Sequence, residues 1–124
     1  GGLHYRWPDM PGPGLEERQF AKTQAVLAFA RANPDINRYL TNPEQATFGI
    51  IATGKAFLDL KETLFRLGLG TIDLSRRGIR ILCPGLTWPL EPESIRHFAR
   101  GLREIFVVEE KRGFVEDQIK SILY

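Results

Sequence analysis

The chain has 124 residues and a formal net charge of +2, with 43% hydrophobic and 26% charged residues, a composition typical of one globular domain. No apolar run approaches the ~20 residues that a bilayer-spanning helix needs. Acidic and basic residues are interleaved, so no basic stripe is available for nucleic acid. Cys83 is the sole cysteine, so the chain cannot form an internal disulfide. A single thiolate is also too few to hold a zinc ion or an iron–sulfur cluster. We expect a reducing, cytoplasmic location.

The first 14 residues are rich in proline and glycine, which oppose helix propagation and strand pairing. They predict a linker over residues 1–14, and their lack of a signal or transit peptide pattern suits a segment of a longer chain. A helical pattern starts at Leu15, with apolar positions three and four residues apart, and should end near Asn33 and Pro34. We therefore predict a single domain over residues 15–124.

The middle of the chain alternates strand and helix patterns. Residues 47–52 are almost continuously apolar and predict a short strand buried on both faces. A helix follows the turn at Thr53 and Gly54, places Phe57, Leu60, Leu64 and Leu67 on one face, and ends at Gly68. Residues 69–78 fit either a short helix from Thr71 or a strand at Thr71–Ile72, and the capping threonine favours the helix.

The last third continues the same alternation. Residues 79–83 predict a strand, residues 86–92 an extended stretch, and the next helix has Ile95, Phe98, Ala99 and Leu102 as its apolar positions. Residues 105–109 predict a third strand, and a final amphipathic helix follows. This succession indicates right-handed crossovers and a three-layer αβα domain of the α/β class, with a small, mainly parallel sheet.

Residues 49–55, GIIATGK, match the first seven positions of a phosphate-binding P-loop, and residues 105–109 resemble a Walker B strand. Two observations oppose a nucleotide hydrolase. Ala56 stands where a hydroxyl must hold magnesium, and the residues between the glycines form the buried strand, so the sheet occupies their amides. The Thr53-Gly54-Lys55 turn is either a plain tight connection or, through its free amides and the nearby ammonium, a site that attracts an anion.

Other residue types with chemical potential have plainer interpretations. Cys83 ends a strand, where a free cysteine usually behaves as a small buried hydrophobe. His97 lies on a charged helix flank and His4 lies in the linker, so both are expected at the surface.

Three loops follow the three predicted parallel strands and should emerge at one edge of the sheet, where such folds place ligand or partner contacts. The loop after the third strand is either a solvated charged turn or a contact surface, and Trp88 either fills the domain's own core or docks on a neighbour. The candidate residues of this interface or ligand edge are Gly54, Lys55, Trp88, Glu109, Glu110, Lys111 and Arg112.

The order of three segments resembles the indolepyruvate:ferredoxin oxidoreductases. These segments are ATGK at residues 52–55 with the helix after it, GLTWPLEPE at residues 85–93, and VVEEKRG at residues 107–113, followed by Glu116, Asp117 and Gln118. RWPD at residues 6–9 and AFARAN at residues 28–33 also look like that family. More remotely, the strand, Ala-Thr-Gly and helix are similar to the transketolase carboxyl-terminal domain.

The resemblance implies a parent enzyme that decarboxylates arylpyruvates such as indolepyruvate with coenzyme A and passes electrons through [4Fe-4S] clusters to ferredoxin. Its thiamine diphosphate and Mg need a Gly-Asp-Gly segment that this sequence lacks. No catalytic, cofactor-binding or metal-binding residue is therefore expected in the segment, which would be inactive alone. The resemblance favours a noncatalytic assembly domain that contacts other domains or subunits of the oxidoreductase. The alternative is a stand-alone nucleotide- or coenzyme-binding module that uses the Thr53-Gly54-Lys55 turn.

Overall fold

A computed structural model describes residues 12–124 of the chain. The elements in order are α1 (Pro13–Ala32), a 3-10 turn (Pro34–Ile36), β1 (Arg38–Thr41), β2 (Phe48–Ala52), α2 (Gly54–Arg66), α3 (Thr71–Arg76), β3 (Ile79–Cys83), α4 (Pro92–Ala99), β4 (Glu104–Val108) and α5 (Phe114–Leu123). Most of the predicted linker lies outside the described residues, and its last two residues, Pro13 and Gly14, already belong to α1.

The four strands form one sheet in the order β1-β3-β2-β4. β2 runs parallel to both of its neighbours, with Phe48 opposite Ile79 of β3 and Glu104 of β4. The predicted α/β class with a small, mainly parallel sheet is confirmed, as is the short helix α3, although its N-cap residue is Gly70 and not Thr71. The positive φ of Gly68 just beyond α2 also confirms that this glycine ends the helix.

β1 is a strand that the sequence analysis does not predict, because the segment between the first helix and the strand at residues 47–52 is polar and interrupted by proline. It pairs antiparallel with β3 at the edge of the sheet, with Arg38 opposite Cys83. Its four residues are too few to show a clear alternation, and polar residues surround them. The Tyr39 ring nevertheless packs near Phe98, 6.4 Å between ring centroids, and joins the core.

The main core lies between one face of the sheet and helices α4 and α5. Its buried members are Ile51, Leu82, Leu90, Ile95, Phe98, Val115 and Ile119. Gly49 of β2 faces this layer, and a Cβ atom at Gly49 would lie 2.5 Å from Leu102 Cδ1 and 2.8 Å from Phe98 Cζ. A Cβ atom at the first glycine of the P-loop-like pattern would therefore displace the Leu102 and Phe98 side chains.

Two elements are less buried than the predicted three-layer αβα architecture implies. β4 is not buried on both faces, since Glu104 is exposed and Phe106 is 62% exposed. α1 does not bury an apolar face, because Ala30 is its only buried residue and Phe20 is 69% exposed. Leu102 lies beyond the end of α4, although it still packs against the core. Periodicity predicts which residues share a face, but another element must be present for that face to be covered.

Arg80 is a buried cation on β3, which the sequence prediction treated only as part of an apolar strand. Its guanidinium donates to the carbonyls of Phe98 at 2.6 Å and Arg100 at 3.0 Å, at the end of α4. It also donates to Pro43 O at 3.1 Å, in the loop before β2. A cation at a helix carboxyl end is favourable because of the helix dipole. Arg80 thus fixes α4 against the sheet.

Glu91 connects α1 to the rest of the domain and caps α4. Its carboxylate accepts hydrogen bonds from Ser94 N at 2.7 Å and Ser94 Oγ at 2.9 Å, and it pairs with Arg31 of α1 at 3.1 Å. Burial raises the pKa of the Glu91 carboxyl, but the hydrogen bonds from Ser94, the Glu93 amide and Arg31 outweigh burial and leave the pKa below its ordinary value.

We expect Glu91 to stabilise the domain at neutral pH by about 1–2 kcal/mol relative to Glu91→Gln. Because the folded-state pKa is lowered, this contribution is complete above the unfolded-state pKa of about 4.3 and is lost as pH falls through the folded-state value. Urea unfolding of both proteins between about pH 7 and pH 3 measures the difference. Glu93→Gln, a change at an exposed position of the same helix, is the control. A difference that stays constant down to the lowest pH would contradict this account.

Candidate functional site

The loops that follow β2, β3 and β4 lie at one edge of the sheet, because these three strands are parallel. We call this the carboxyl edge. The main core places α4 and α5 on one face of the sheet, whereas α2 contacts β2 from the other face. The helices that follow β2 and β4 therefore leave neighbouring strands toward opposite faces, which opens a crevice between the two loops.

The crevice is a groove of about 570 Å³ at the carboxyl edge. The residues that line it come from the two loops and the starts of their helices: Thr53, Lys55, Ala56, Glu109, Glu110, Lys111, Arg112 and Phe114. Five of the seven residues predicted from the sequence line this groove. Gly54 lies in the same turn, between two of the lining residues, and Trp88 belongs to the neighbouring loop after β3.

Lys55 bridges the two sides of the groove. Its Nζ atom lies 2.8 Å from Asp59 Oδ2 on its own helix and 3.4 Å from Glu110 Oε1 on the opposite loop. Hydrogen bonds from Lys55 to Asp59 and Glu110 raise the pKa of the ammonium group. All three side chains are exposed, so these ion pairs contribute little to stability. They do offset the charge that Lys55 would present to an anion.

The turn after β2 opens α2 with Gly54 at a φ of +52°, a left-handed conformation that favours glycine. Residues 48–52 pair with strands on both sides, so the P-loop-like pattern does not form a phosphate-binding loop. Cys83, at the end of β3, is half-buried. Burial raises the pKa of its thiol, and a hydrogen bond from the Gly54 backbone and the charge of Arg38 oppose this effect. His97 is exposed, as predicted, and His4 lies outside the described residues.

Glu109 stabilises the start of α5 at the carboxyl edge. Its two carboxylate oxygens accept hydrogen bonds from the backbone N–H groups of Val115 at 2.7 Å and Glu116 at 3.1 Å. These amides belong to the first turn of α5, which otherwise leaves its N–H groups without partners. A carboxylate also suits the positive end of the helix dipole. Glu109 therefore fixes α5 to the end of β4, while Glu110, Lys111 and Arg112 remain exposed.

The loop after β3 presents Trp88, whose side chain is 58% exposed. Gln118 of α5 holds this loop on both sides of the tryptophan: its Nε2 donates to Thr87 O at 3.0 Å and its Oε1 accepts from Leu90 N at 2.9 Å. The Trp88–Pro89 peptide bond within the loop is cis. The ring does not fill the domain's own core, and its docking on a neighbour stays a prediction.

Phe114 is a feature of this edge that the sequence prediction missed. It is 49% exposed, lies at the start of α5 and lines the groove. Gln118 Nε2 also donates to Phe114 O at 3.1 Å, so one side chain links the Phe114 backbone to the Trp88 loop. The sequence feature that could have identified Phe114 is its position directly after Gly113, where a solvated turn would carry a polar residue.

The described residues contain no helix long and apolar enough to cross a bilayer. Within residues 12–124 there is also no group of three or more His, Cys, Asp or Glu side chains placed to hold a metal ion.

Similarity to a solved structure defines the class of fold. The chain superimposes on a 2-oxoglutarate:ferredoxin oxidoreductase from Magnetococcus marinus with a TM-score of 0.62 and 19% sequence identity, over 86% of this chain and 17% of that one. At this identity the likeness concerns the fold alone.

Sequence similarity defines the family. Residues 38–124 match the model of the indolepyruvate oxidoreductase domain, so the chain belongs to that family. The indolepyruvate oxidoreductase subunit IorA of Pyrococcus horikoshii is 33% identical over 82 residues, which is 66% of this chain and 12% of that subunit. The IorA subunit of Methanothermobacter marburgensis is 30% identical over 105 residues, 85% of this chain and 16% of that subunit. The chain thus spans about an eighth to a sixth of the length of these relatives.

We expect Glu109→Ala to lower the free energy of unfolding by about 1–2 kcal/mol, because two N–H groups of α5 lose a charged acceptor. The neighbouring Glu110→Ala removes only an exposed partner of Lys55 and should cost less than about 0.5 kcal/mol. Chemical denaturation of the 124-residue chain and of both variants measures the difference. Equal losses would show that the contacts of Glu109 with α5 do not contribute as the geometry indicates.

Proposed function

We propose that this chain is a noncatalytic assembly domain of an indolepyruvate:ferredoxin oxidoreductase. The parent reaction would be the oxidative decarboxylation of arylpyruvates to acyl-coenzyme A, with ferredoxin as electron acceptor. Family membership and the small share of each IorA relative that the chain covers support a role as one domain among several. We place the enzyme in a reducing cytoplasm, for which the single thiol is the supporting observation.

The observation that carries the assembly role is the pair of aromatic side chains at the carboxyl edge. Trp88 and Phe114 are 58% and 49% exposed, yet Gln118 holds the backbone beside both. Exposed aromatic residues on an ordered backbone, beside arginine, are typical of the energetic centres of interfaces. Arg112 and Lys111 stand in the next loop and supply charge at the rim. We infer that this edge docks on another domain or subunit of the oxidoreductase.

The cofactors that the family implies do not fit the donors of the described residues. Thiamine diphosphate needs a bound divalent cation, but the sequence lacks the Gly-Asp-Gly segment, and residues 12–124 hold no group of three or more His, Cys, Asp or Glu side chains placed for a metal ion. An iron–sulfur cluster needs several thiolates, whereas the chain has one cysteine. We therefore assign thiamine diphosphate, Mg and the [4Fe-4S] clusters to other parts of the enzyme and derive no catalytic step from this domain.

In the full-length enzyme we expect Trp88→Ala to weaken association of this domain with its neighbour by ~2 kcal/mol and to lower turnover. The melting temperature of the 124-residue chain should scarcely change, since the ring is largely exposed. Arg112→Ala should act in the same direction with a smaller effect. Analytical ultracentrifugation, limited proteolysis and steady-state kinetics supply the readouts.

Leu58→Ala is the matched control, because Leu58 is 62% exposed but lies on α2 and does not line the groove. It should leave assembly and turnover as in the wild type. If Trp88→Ala and Arg112→Ala behave like this control, the carboxyl edge is merely solvated and the assembly role fails there.

A second candidate function is a contact with coenzyme A at the same groove. The structurally similar oxidoreductase was solved with 2-oxoglutarate, coenzyme A and succinyl-CoA bound, and Lys111 and Arg112 would suit the phosphates of such a ligand. The ion pairs of Lys55 with Asp59 and Glu110 weigh against it, because they offset one of the three cations that line the groove.

If the groove binds coenzyme A, titration calorimetry of the 124-residue chain should detect binding that weakens with added salt and that Lys111→Ala reduces several-fold. Lys61→Ala, a change of an exposed lysine on α2 outside this groove, should leave binding unchanged. An absence of heat at millimolar ligand would discard this candidate and leave the assembly role.

A further inference from the structure

β4 is an open edge of the sheet. It pairs with β2 on one side, and no strand among the described residues pairs with its other side. In a parallel ladder, alternate residues direct their N–H and C=O groups to one neighbour, so about half of these groups on β4 point away from β2. Native proteins usually shorten, charge or cover such an edge. The sequence of β4 is Glu-Ile-Phe-Val-Val, in which the one charged residue lies at the amino end and four apolar residues follow along the open edge.

The space beside β4 has the form of a groove for another strand. It has a volume of about 600 Å³, and its walls are formed by β4 itself, the segment after α4, and α5. On the α5 side, Ile105 and Val107 are only half-buried and line the groove together with Ile119 and Leu123. On the opposite face Phe106 is 62% exposed, and its ring lies beside that of Phe48, 6.3 Å between centroids. Apolar surface thus lies above and below the free backbone groups.

The direction of α5 favours a parallel occupant. The helix begins at the carboxyl end of β4, where Glu109 caps it, and its ten residues cover about 15 Å. The five residues of β4 cover about 16 Å, so α5 returns to the amino end of the strand. A strand reached from there by a right-handed crossover would run parallel to β4.

We propose that an extended segment of the longer oxidoreductase polypeptide adds to β4 as a fifth, parallel strand with apolar residues on both faces. This inference rests on the proposed function, because the occupant is a part of the same enzyme. It is supported by length: the chain spans 12% and 16% of the two IorA relatives, so most of such a polypeptide lies outside this domain. The rim of the groove carries Glu104 and Arg103 together with the ion pair Glu116–Lys120, a mixed charge that suits an uncharged strand.

Backbone hydrogen exchange tests the proposal. In the 124-residue chain, the β4 amides that point away from β2 should exchange nearly as fast as those of a solvated edge. In the full-length enzyme they should slow at least about a hundredfold. Equal exchange rates in the two proteins would overturn the proposal. Protection of these amides in the 124-residue chain that grows with protein concentration would also overturn the proposal, since a second copy of the chain would then be the occupant.

Phe106→Lys provides the matched variant and Leu58→Lys its control, because both side chains are 62% exposed and only Phe106 belongs to β4. Neither change should shift the melting temperature of the 124-residue chain by more than a few degrees. In the full-length enzyme, Phe106→Lys should reduce the protection of β4 at least about tenfold and Leu58→Lys should not. Equal effects would overturn the proposal. These measurements do not involve Trp88, so the proposed strand addition at β4 and the proposed docking of the carboxyl edge are tested independently.

Discussion

The backbone pairing of β2 with β3 on one side and β4 on the other is the constraint on which the rest of the domain depends. Every backbone hydrogen-bonding group of a buried strand must find a partner, and the apolar sequence of β2 makes the centre of the sheet its only suitable place. Parallel pairing then requires crossover helices and gathers the three following loops at one edge. Gly49 allows the central strand to approach Phe98 and Leu102 closely, which closes one face of the sheet.

Polar side chains then fix the elements that the sheet positions. Arg80 holds the end of α4, Glu91 joins α1 to the start of α4, and Glu109 holds the start of α5. Gln118 joins α5 to the Trp88 loop. Each of these groups satisfies helix ends or loop amides that would otherwise lack partners. The carboxyl edge is consequently an ordered surface, and this order explains how exposed aromatic residues could serve in docking without a large entropic cost.

Strong local patterns allowed much of this architecture to be predicted from the sequence. The continuous apolar run at residues 47–52 predicted the central strand, and Gly68 predicted the end of α2, because both signals are local. β1 was missed since an edge strand of four residues carries almost no pattern. The exposure of Phe106 and of α1 was also missed, because burial depends on which elements stand opposite. The position of the three loops at one edge follows from the parallel strands and could be predicted, whereas the contact of Glu109 with α5 requires the three-dimensional position of that helix.

The central claim is that the carboxyl edge of this domain docks within a larger oxidoreductase, and the structure of the full-length enzyme by electron cryomicroscopy tests it most directly. The quantity to measure is the solvent exposure of the Trp88 and Phe114 side chains, which are 58% and 49% exposed in the domain alone. The account predicts that both become nearly fully buried against another domain or subunit, with Arg112 at the rim of that contact. Two rings that keep their present exposure, with the edge facing solvent, would contradict it.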